Sequence, residues 1–206
     1  MLPKPDIILY DWDNTLVNSM DTICNGVLYT CQKMDKNDWT KEDIKRGREG
    51  IHNALRVSFP RIFGEDKWQE ARDIYYSYFL EHHLEEITPI KGAKNLLQAV
   101  SDAGIYQAIV SNKTGAYLRE EVAFMGFAHY FARIIGATDA DKDKPEIDPL
   151  ALALAGYTGK KDPIIYMIGD AETDLKFAKN INTVPSPMKM IPIDNGLSIP
   201  DSFLTF

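Results

Sequence analysis

The 206-residue chain carries 30 acidic against 23 basic residues, a formal net charge of -7, with 45% hydrophobic and 26% charged residues. That balance excludes disorder as the dominant state and argues against a nucleic-acid backbone or an anionic membrane as the main partner. An acidic chain that handles a phosphate must gather positive charge locally, through a metal ion or a few placed lysines.

The first apolar run, Ile7–Tyr10, is too short for a signal peptide. No run approaches the roughly 20 apolar residues of a membrane span. Cys24 and Cys31 fall two helical turns apart, about 10 Å, too far for a disulfide. A reduced, cytoplasmic setting is the expectation.

The Ile7–Tyr10 run is apolar throughout rather than alternating, and the pattern returns at Tyr106–Val110, Arg133–Gly136 and Ile164–Ile168. Such runs predict strands buried on both faces, as in a parallel sheet covered by helices. The first run ends at Asp11-Trp12-Asp13-Asn14-Thr15-Leu16. Two acids at i and i+2 therefore leave a strand where open parallel sheets place their sites. Alone, the pair reads equally well as a solvated turn.

The next convincing strand begins only near Tyr106, whereas one crossover helix needs about a dozen residues. The interval holds several helical patterns. Ser19 or Asn18 caps a helix with Ile23, Val27, Cys31 and Met34 on its apolar face. Thr40-Lys41-Glu42-Asp43 opens a short helix in capping-box style. Glu65 to Leu84 reads as a long helix with Trp68, Ile74, Tyr75, Tyr78 and Phe79 near one side. Pro89 and Gly92 punctuate the return. Residues 17–88 are expected to be an inserted all-helical domain. Residues 1–16 and 89–206 are expected to form a doubly wound, Rossmann-like α/β core with a parallel sheet.

Three more motifs follow in that core. Val110-Ser111-Asn112-Lys113 ends a buried strand just before a helix, where a hydroxyl and backbone N–H groups make an anion cradle or an ordinary helix cap. The helix that follows carries Leu118, Val122 and Met125 at i, i+4 and i+7 and stops at Gly126. Lys144-Pro145-Glu146-Ile147-Asp148-Pro149 holds a lysine before a two-proline segment. Asp148 reads there as N-cap and Pro149 as the first helical residue. Gly169-Asp170-Ala171-Glu172-Thr173-Asp174 leaves the last apolar strand with two acids one helical turn apart, whose oxygens suit a hard cation such as magnesium.

Taken together and in this order, the four motifs resemble those of the haloacid dehalogenase superfamily, over essentially the whole chain. The helical insertion resembles the cap of its phosphoglycolate-phosphatase-like subfamily. The resemblance implies a magnesium-dependent phosphatase acting on a small phosphorylated metabolite. Asp11 would be the nucleophile and would form an aspartyl phosphate. Asp13 would be the general acid and base, and Lys144 would offset phosphoryl charge. Thr15, Ser111, Asn112 and Lys144 fall at phosphate-binding positions, and Asp11, Asp13 (through its carbonyl), Asp170 and Asp174 at metal-binding ones. Trp12 and Asn14 stand where Phe and Gly are commoner, and Ile147 where a second proline is frequent. The second acid, Asp13, favours phosphate-ester hydrolysis over dehalogenation. A sugar-phosphate mutase shares these groups, and a non-catalytic phosphate-binding protein on this fold is the alternative of another class. A monomer or homodimer is expected.

Other features carry less. Asp139, Asp141 and Asp143 imitate the start of a calcium loop, but Lys144 and Leu150 stand where glycine and glutamate are needed. His82 and His83 are adjacent and fall on different helix faces. Tyr75, Tyr76, Tyr78 and Phe79 read as packing. Arg48, in Gly47-Arg48-Glu49-Gly50, reads either as a substrate contact from the insertion or as part of a solvated loop.

Overall fold

The computed structural model describes residues 3–183 and 189–193. It divides into two compact units, one running to Val17 and resuming at Pro89, the other spanning Asn18–Thr88.

Among the described residues, the first unit is built on a five-stranded, all-parallel sheet in the order β5 (Arg133–Ala137), β4 (Tyr106–Thr114), β1 (Ile7–Tyr10), β6 (Ile164–Ile168) and β7 (Lys189–Ile193). At its centre β1 (Ile7–Tyr10) is fully buried, with Ile7 facing Tyr106 on one side and Ile165 on the other. Burial on both faces explains its unbroken apolar run. After β1 the chain passes through the two-residue strand β2 (Val17–Asn18), which pairs with β3 (Thr88–Pro89).

The helices of this unit lie outside the sheet's sequence runs: α5 (Ala93–Asp102), α6 (Gly115–Phe124), α7 (Asp148–Ala153) and α8 (Glu172–Thr183). Phe177, Ala178 and Ile181 of α8 join Leu150 and Ala153 of α7 against Ile7, Leu9, Val110 and Met167 of the sheet. Burying such side chains stabilises by about 1.5–3 kcal/mol apiece for the larger ones.

Two boundaries differ from the sequence reading. Strand β4 runs on beyond Val110 to Thr114, and its register to β5 shifts between those residues. The apolar pattern ends at Val110, so the polar continuation was invisible in it. In α7, Ile147 is the N-cap and Asp148 the first helical residue, which moves Pro149 to the second position. Pro is tolerated there because first-turn N–H groups lack helical partners.

The second unit is helical: α1 (Met20–Lys33), α2 (Lys41–Lys45), α3 (Leu55–Phe63) and α4 (Trp68–Glu86), with a 3-10 turn at Arg48–Gly50. Ser19 is the N-cap of α1 but makes no side-chain capping bond. Thr40 and Asp43 do form a reciprocal capping box on α2. Ala71, Tyr75, Phe79 and His83 make a strict i, i+4 buried stripe on α4, and the Phe79 and His83 rings stack at 4.4 Å. Tyr75 packs against Phe59 of α3. At Gly26 of α1 a Cβ would come within 2.9 Å of the Tyr75 ring, so the helix needs glycine at that crossing. Cys24 and Cys31 are buried and unbridged. Among the described residues, no helix is long and apolar enough to cross a membrane.

Candidate active site

Strands β1, β4 and β6 are neighbours, and their carboxyl ends deliver Asp11, Ser111 and Asp170 to one edge of the sheet. The chain leaves the sheet centre in both directions here, which is where an open α/β sheet forms a crevice. Asp11 N–H still donates to the Ile168 carbonyl at 2.8 Å, so the residue is fixed as an extension of the strand. The next turn folds back on itself. Leu16 N–H donates to the Trp12 carbonyl at 3.0 Å, Asn14 N–H to Val17 at 2.6 Å, and Asn14 takes a positive φ of 55°. Asparagine tolerates that region better than most residues, which is why it can stand where glycine is commoner.

Asp11, Asp170 and Asp174 each offer a carboxylate oxygen within 4.8 Å of the others. Lys144 reaches into the same cluster and donates to Asp11 Oδ1 at 2.9 Å and to Asp174 Oδ1 at 2.5 Å. With all three ionised, three carboxylates against one ammonium leave an excess of two negative charges, which one divalent cation would balance. The donor set is all oxygen, as a hard cation requires. Asp174 is further held by the Ala171 N–H, at 3.0 Å to Oδ2. Its close approach depends on Gly169, since a Cβ there would run into the Asp174 carboxylate. Thr15 is fully buried and donates to Asp170 Oδ1 at 3.1 Å.

Burial dominates the electrostatics and pushes the Asp11 carboxyl up to about 7. Lys144 pulls it down, while Asp174, Asp170 and Asp13 push it up. Burial also disfavours the Lys144 ammonium, but Asp11 and Asp174 together outweigh that and hold it above the usual lysine value. Asp170 is raised, first by burial and then by Asp174.

The structure also locates the other expected site residues. Ser111 is buried on the irregular end of β4, and its Oγ accepts from the Lys113 N–H at 3.3 Å. Asn112 turns its amide to the Lys144 carbonyl at 3.2 Å and so holds the lysine's backbone. Asn180 of α8 does the same for the Pro145 carbonyl at 2.8 Å. Arg48 belongs to the helical unit, where it donates to the Asp38 carboxylate at 2.7 Å and lies 4.6 Å from the Trp39 ring centroid. Asp139 is bound by Arg119 at 2.7 Å, and Asp143 accepts from the Thr138 N–H at 3.0 Å, so both shape their loop.

Two residues at the site escaped the sequence reading. Lys113 Nζ sits 2.6 Å from both Asp13 Oδ1 and Glu121 Oε2. The Trp12 indole N–H donates to that same Glu121 oxygen at 2.7 Å. Glu121 looks like one more acid on a helix surface. The available signal was its place between Leu118 and Val122 on the buried stripe, together with a buried tryptophan that needs an acceptor. Burial disfavours the Lys113 ammonium, yet Asp13 and Glu121 hold its pKa above the usual lysine value.

A sequence profile described as haloacid dehalogenase-like hydrolase matches residues 8–184. Pyrophosphatase PpaX of Halalkalibacterium halodurans is 27% identical over 84% of this chain and 78% of its own. A Bacteroides fragilis protein provisionally described as a haloacid dehalogenase-like hydrolase superposes with a TM-score of 0.81 at 21% identity, covering 98% of this chain and 94% of that one. One from Lactobacillus delbrueckii subsp. bulgaricus, provisionally described as a phosphoglycolate phosphatase, does so with a TM-score of 0.78 at 18% identity, covering 95% and 89%.

Proposed function

The chain belongs to the haloacid dehalogenase-like hydrolase family, and on that footing we propose that it is a magnesium-dependent phosphatase that cleaves a small phosphomonoester or pyrophosphate through Asp11. The reading is carried by one arrangement: Asp11 at the end of the central strand, bridged by Lys144 to Asp174 with Asp170 alongside. Asp11, Asp170 and Asp174 would hold the metal with the Asp13 carbonyl. Bound there, magnesium supplies positive charge that lets an anionic carboxylate approach an anionic phosphate.

The chain's own groups do the rest. Asp11 attacks phosphorus through a carboxylate oxygen, the bond to the leaving oxygen breaks, and an aspartyl phosphate forms on Asp11. The Lys144 ammonium offsets charge on the phosphoryl oxygens, and the Ser111 hydroxyl and neighbouring N–H groups orient them. Asp13 gives its proton to the leaving oxygen, then takes one from the water that hydrolyses the phosphoenzyme. Thr15 anchors Asp170, and Asn112 holds the Lys144 backbone. The helical unit is assigned the part of a substrate-selecting cap, with Arg48 its candidate contact. Two unbridged, buried cysteines suit a reducing, cytoplasmic setting.

The test is phosphate release from a panel of phosphometabolites that includes inorganic pyrophosphate and phosphoglycolate, with magnesium and with a chelator. Magnesium-dependent release from at least one member, abolished in Asp11→Asn, is expected. Release that persists in the chelator or in a folded Asp11→Asn protein would overturn the reading.

A further inference from the structure

We infer that Lys113, clamped by Glu121, is a positioning residue that fixes the Asp13 carboxyl for proton transfer to the leaving group. The inference rests on the phosphatase reading above and deepens it.

The geometry is specific. Asp13 lies on the turn after β1, Lys113 at the end of β4, and Glu121 on α6. The Lys113 ammonium reaches one oxygen of each acid at 2.6 Å. The side chain of Lys113 is 6% exposed and that of Glu121 1% exposed, so their contact is made away from water, while that of Asp13 is 18% exposed and reaches the solvent side of the clamp. Short charge-assisted bonds from a buried ammonium hold their partners in one orientation. The Glu121 oxygen that binds Lys113 also receives the Trp12 N–H. Trp12 is fully buried and packs edge-on against Phe127 at 6.3 Å. Glu121 thus ties down both sides of Asp13: the preceding residue through its indole, and the carboxylate itself through Lys113. The Lys113 ammonium pairs with Asp13 and Glu121, so the carboxylate it orients at the site is that of Asp13. Tryptophan in place of the commoner phenylalanine supplies an N–H that a phenyl ring lacks, which gives that departure a function.

The chemistry predicts where the effect falls. An alkoxide leaving group needs the Asp13 proton, and a nitrophenolate hardly does. A carboxyl that is present but poorly oriented therefore loses rate on alkyl phosphates selectively. A role confined to folding would lower both rates together.

The test uses the double variant Lys113→Met with Glu121→Gln. Lys113→Met alone strands the buried Glu121 carboxylate beside that of Asp13 and is expected to fold poorly. The double variant removes the cation and one charge and keeps an acceptor for Trp12. Its folding is verified by circular dichroism and thermal unfolding. The quantity read is kcat/KM for an alkyl phosphate divided by kcat/KM for p-nitrophenyl phosphate. General acid catalysis contributes about a hundredfold to ten-thousandfold, so partial loss of orientation should lower the ratio by about tenfold or more. A ratio within about threefold of the wild type would overturn the positioning role. Asp13→Asn is the control that separates the two levels. If it lowers the ratio and the double variant does not, only the positioning role falls. If it leaves the ratio unchanged, the general-acid assignment falls and the clamp's role with it.

Discussion

The ammonium of Lys144 donates to Oδ1 of Asp11 at 2.9 Å, joining residues 133 positions apart in the chain. This bond offsets only part of the burial and the neighbouring carboxylates, so Asp11 stays raised toward 7. It is the unusual direction for an aspartate, and it has consequences for stability as well as for chemistry.

The first expectation concerns pH. With its folded value above the unfolded 3.8, Asp11 keeps a proton in the folded state that the unfolded chain has released. Its contribution to stability therefore falls as pH rises from about 4 to about 7, and stays low above that. Asn carries no such penalty. Without divalent cations, the Tm of Asp11→Asn minus that of the wild type should grow by a few degrees between pH 4 and pH 8. Scanning calorimetry in chelator reads it, and a difference flat with pH would contradict it. Turnover of Asp11→Asn should be undetectable at every pH.

A divalent cation should relieve the same strain. Binding to the folded state alone stabilises by RT ln(1 + [L]/Kd), about 2.7 kcal/mol at a hundred times Kd. Magnesium should thus raise the wild-type Tm at pH 8 and do so less in Asp170→Asn, while chelator abolishes turnover. Calcium should support turnover poorly, being larger and looser in coordination. An identical magnesium response in wild type and Asp170→Asn would remove Asp170 from the metal set.

Gly169 gives a test that touches no polar group. A Cβ at this position collides with the Asp174 carboxylate. Gly169→Ala should move that acid away from Asp11 and Asp170 and raise the magnesium concentration needed for half activity by about tenfold to a hundredfold, as displaced supporting groups do. An unchanged magnesium requirement would mean that Asp174 is dispensable for metal binding.

For Asp13→Asn, kcat should fall for alkyl and aryl phosphates alike, because water attack on the phosphoenzyme also needs the acid. If phosphorylation is irreversible, kcat/KM excludes that later step and should fall selectively for the alkyl ester. Acid-quench trapping of labelled phosphate should then find more phosphoenzyme than in the wild type. Equal falls in kcat/KM for both esters would assign Asp13 to local structure.

Much of this site was legible because its strands are buried on both faces. Ile7–Tyr10 and Ile164–Ile168 are unbroken apolar runs, so the acids that end them stand out. Lys113 and Glu121 did not, since a sequence shows charge but not the burial that turns a surface pair into a clamp. Helix α3 was hidden for another reason: Pro60 lies inside it and reads as a breaker. Strand β7 carries Pro192 and was passed over, yet it sits at the edge of the sheet, where a missing N–H is tolerated.

The shared oxygen of Glu121 also constrains how this chain can drift. Losing Lys113 first leaves the buried Glu121 anion without its cation and near a second anion, Asp13. Losing Glu121 first removes the acceptor of the Trp12 N–H and one carboxylate partner of the lysine. Either single step is costly, whereas the paired exchange leaves neither charge behind. Positions 113 and 121 should therefore change together across homologous sequences, with position 12 returning to phenylalanine in those that have lost the pair.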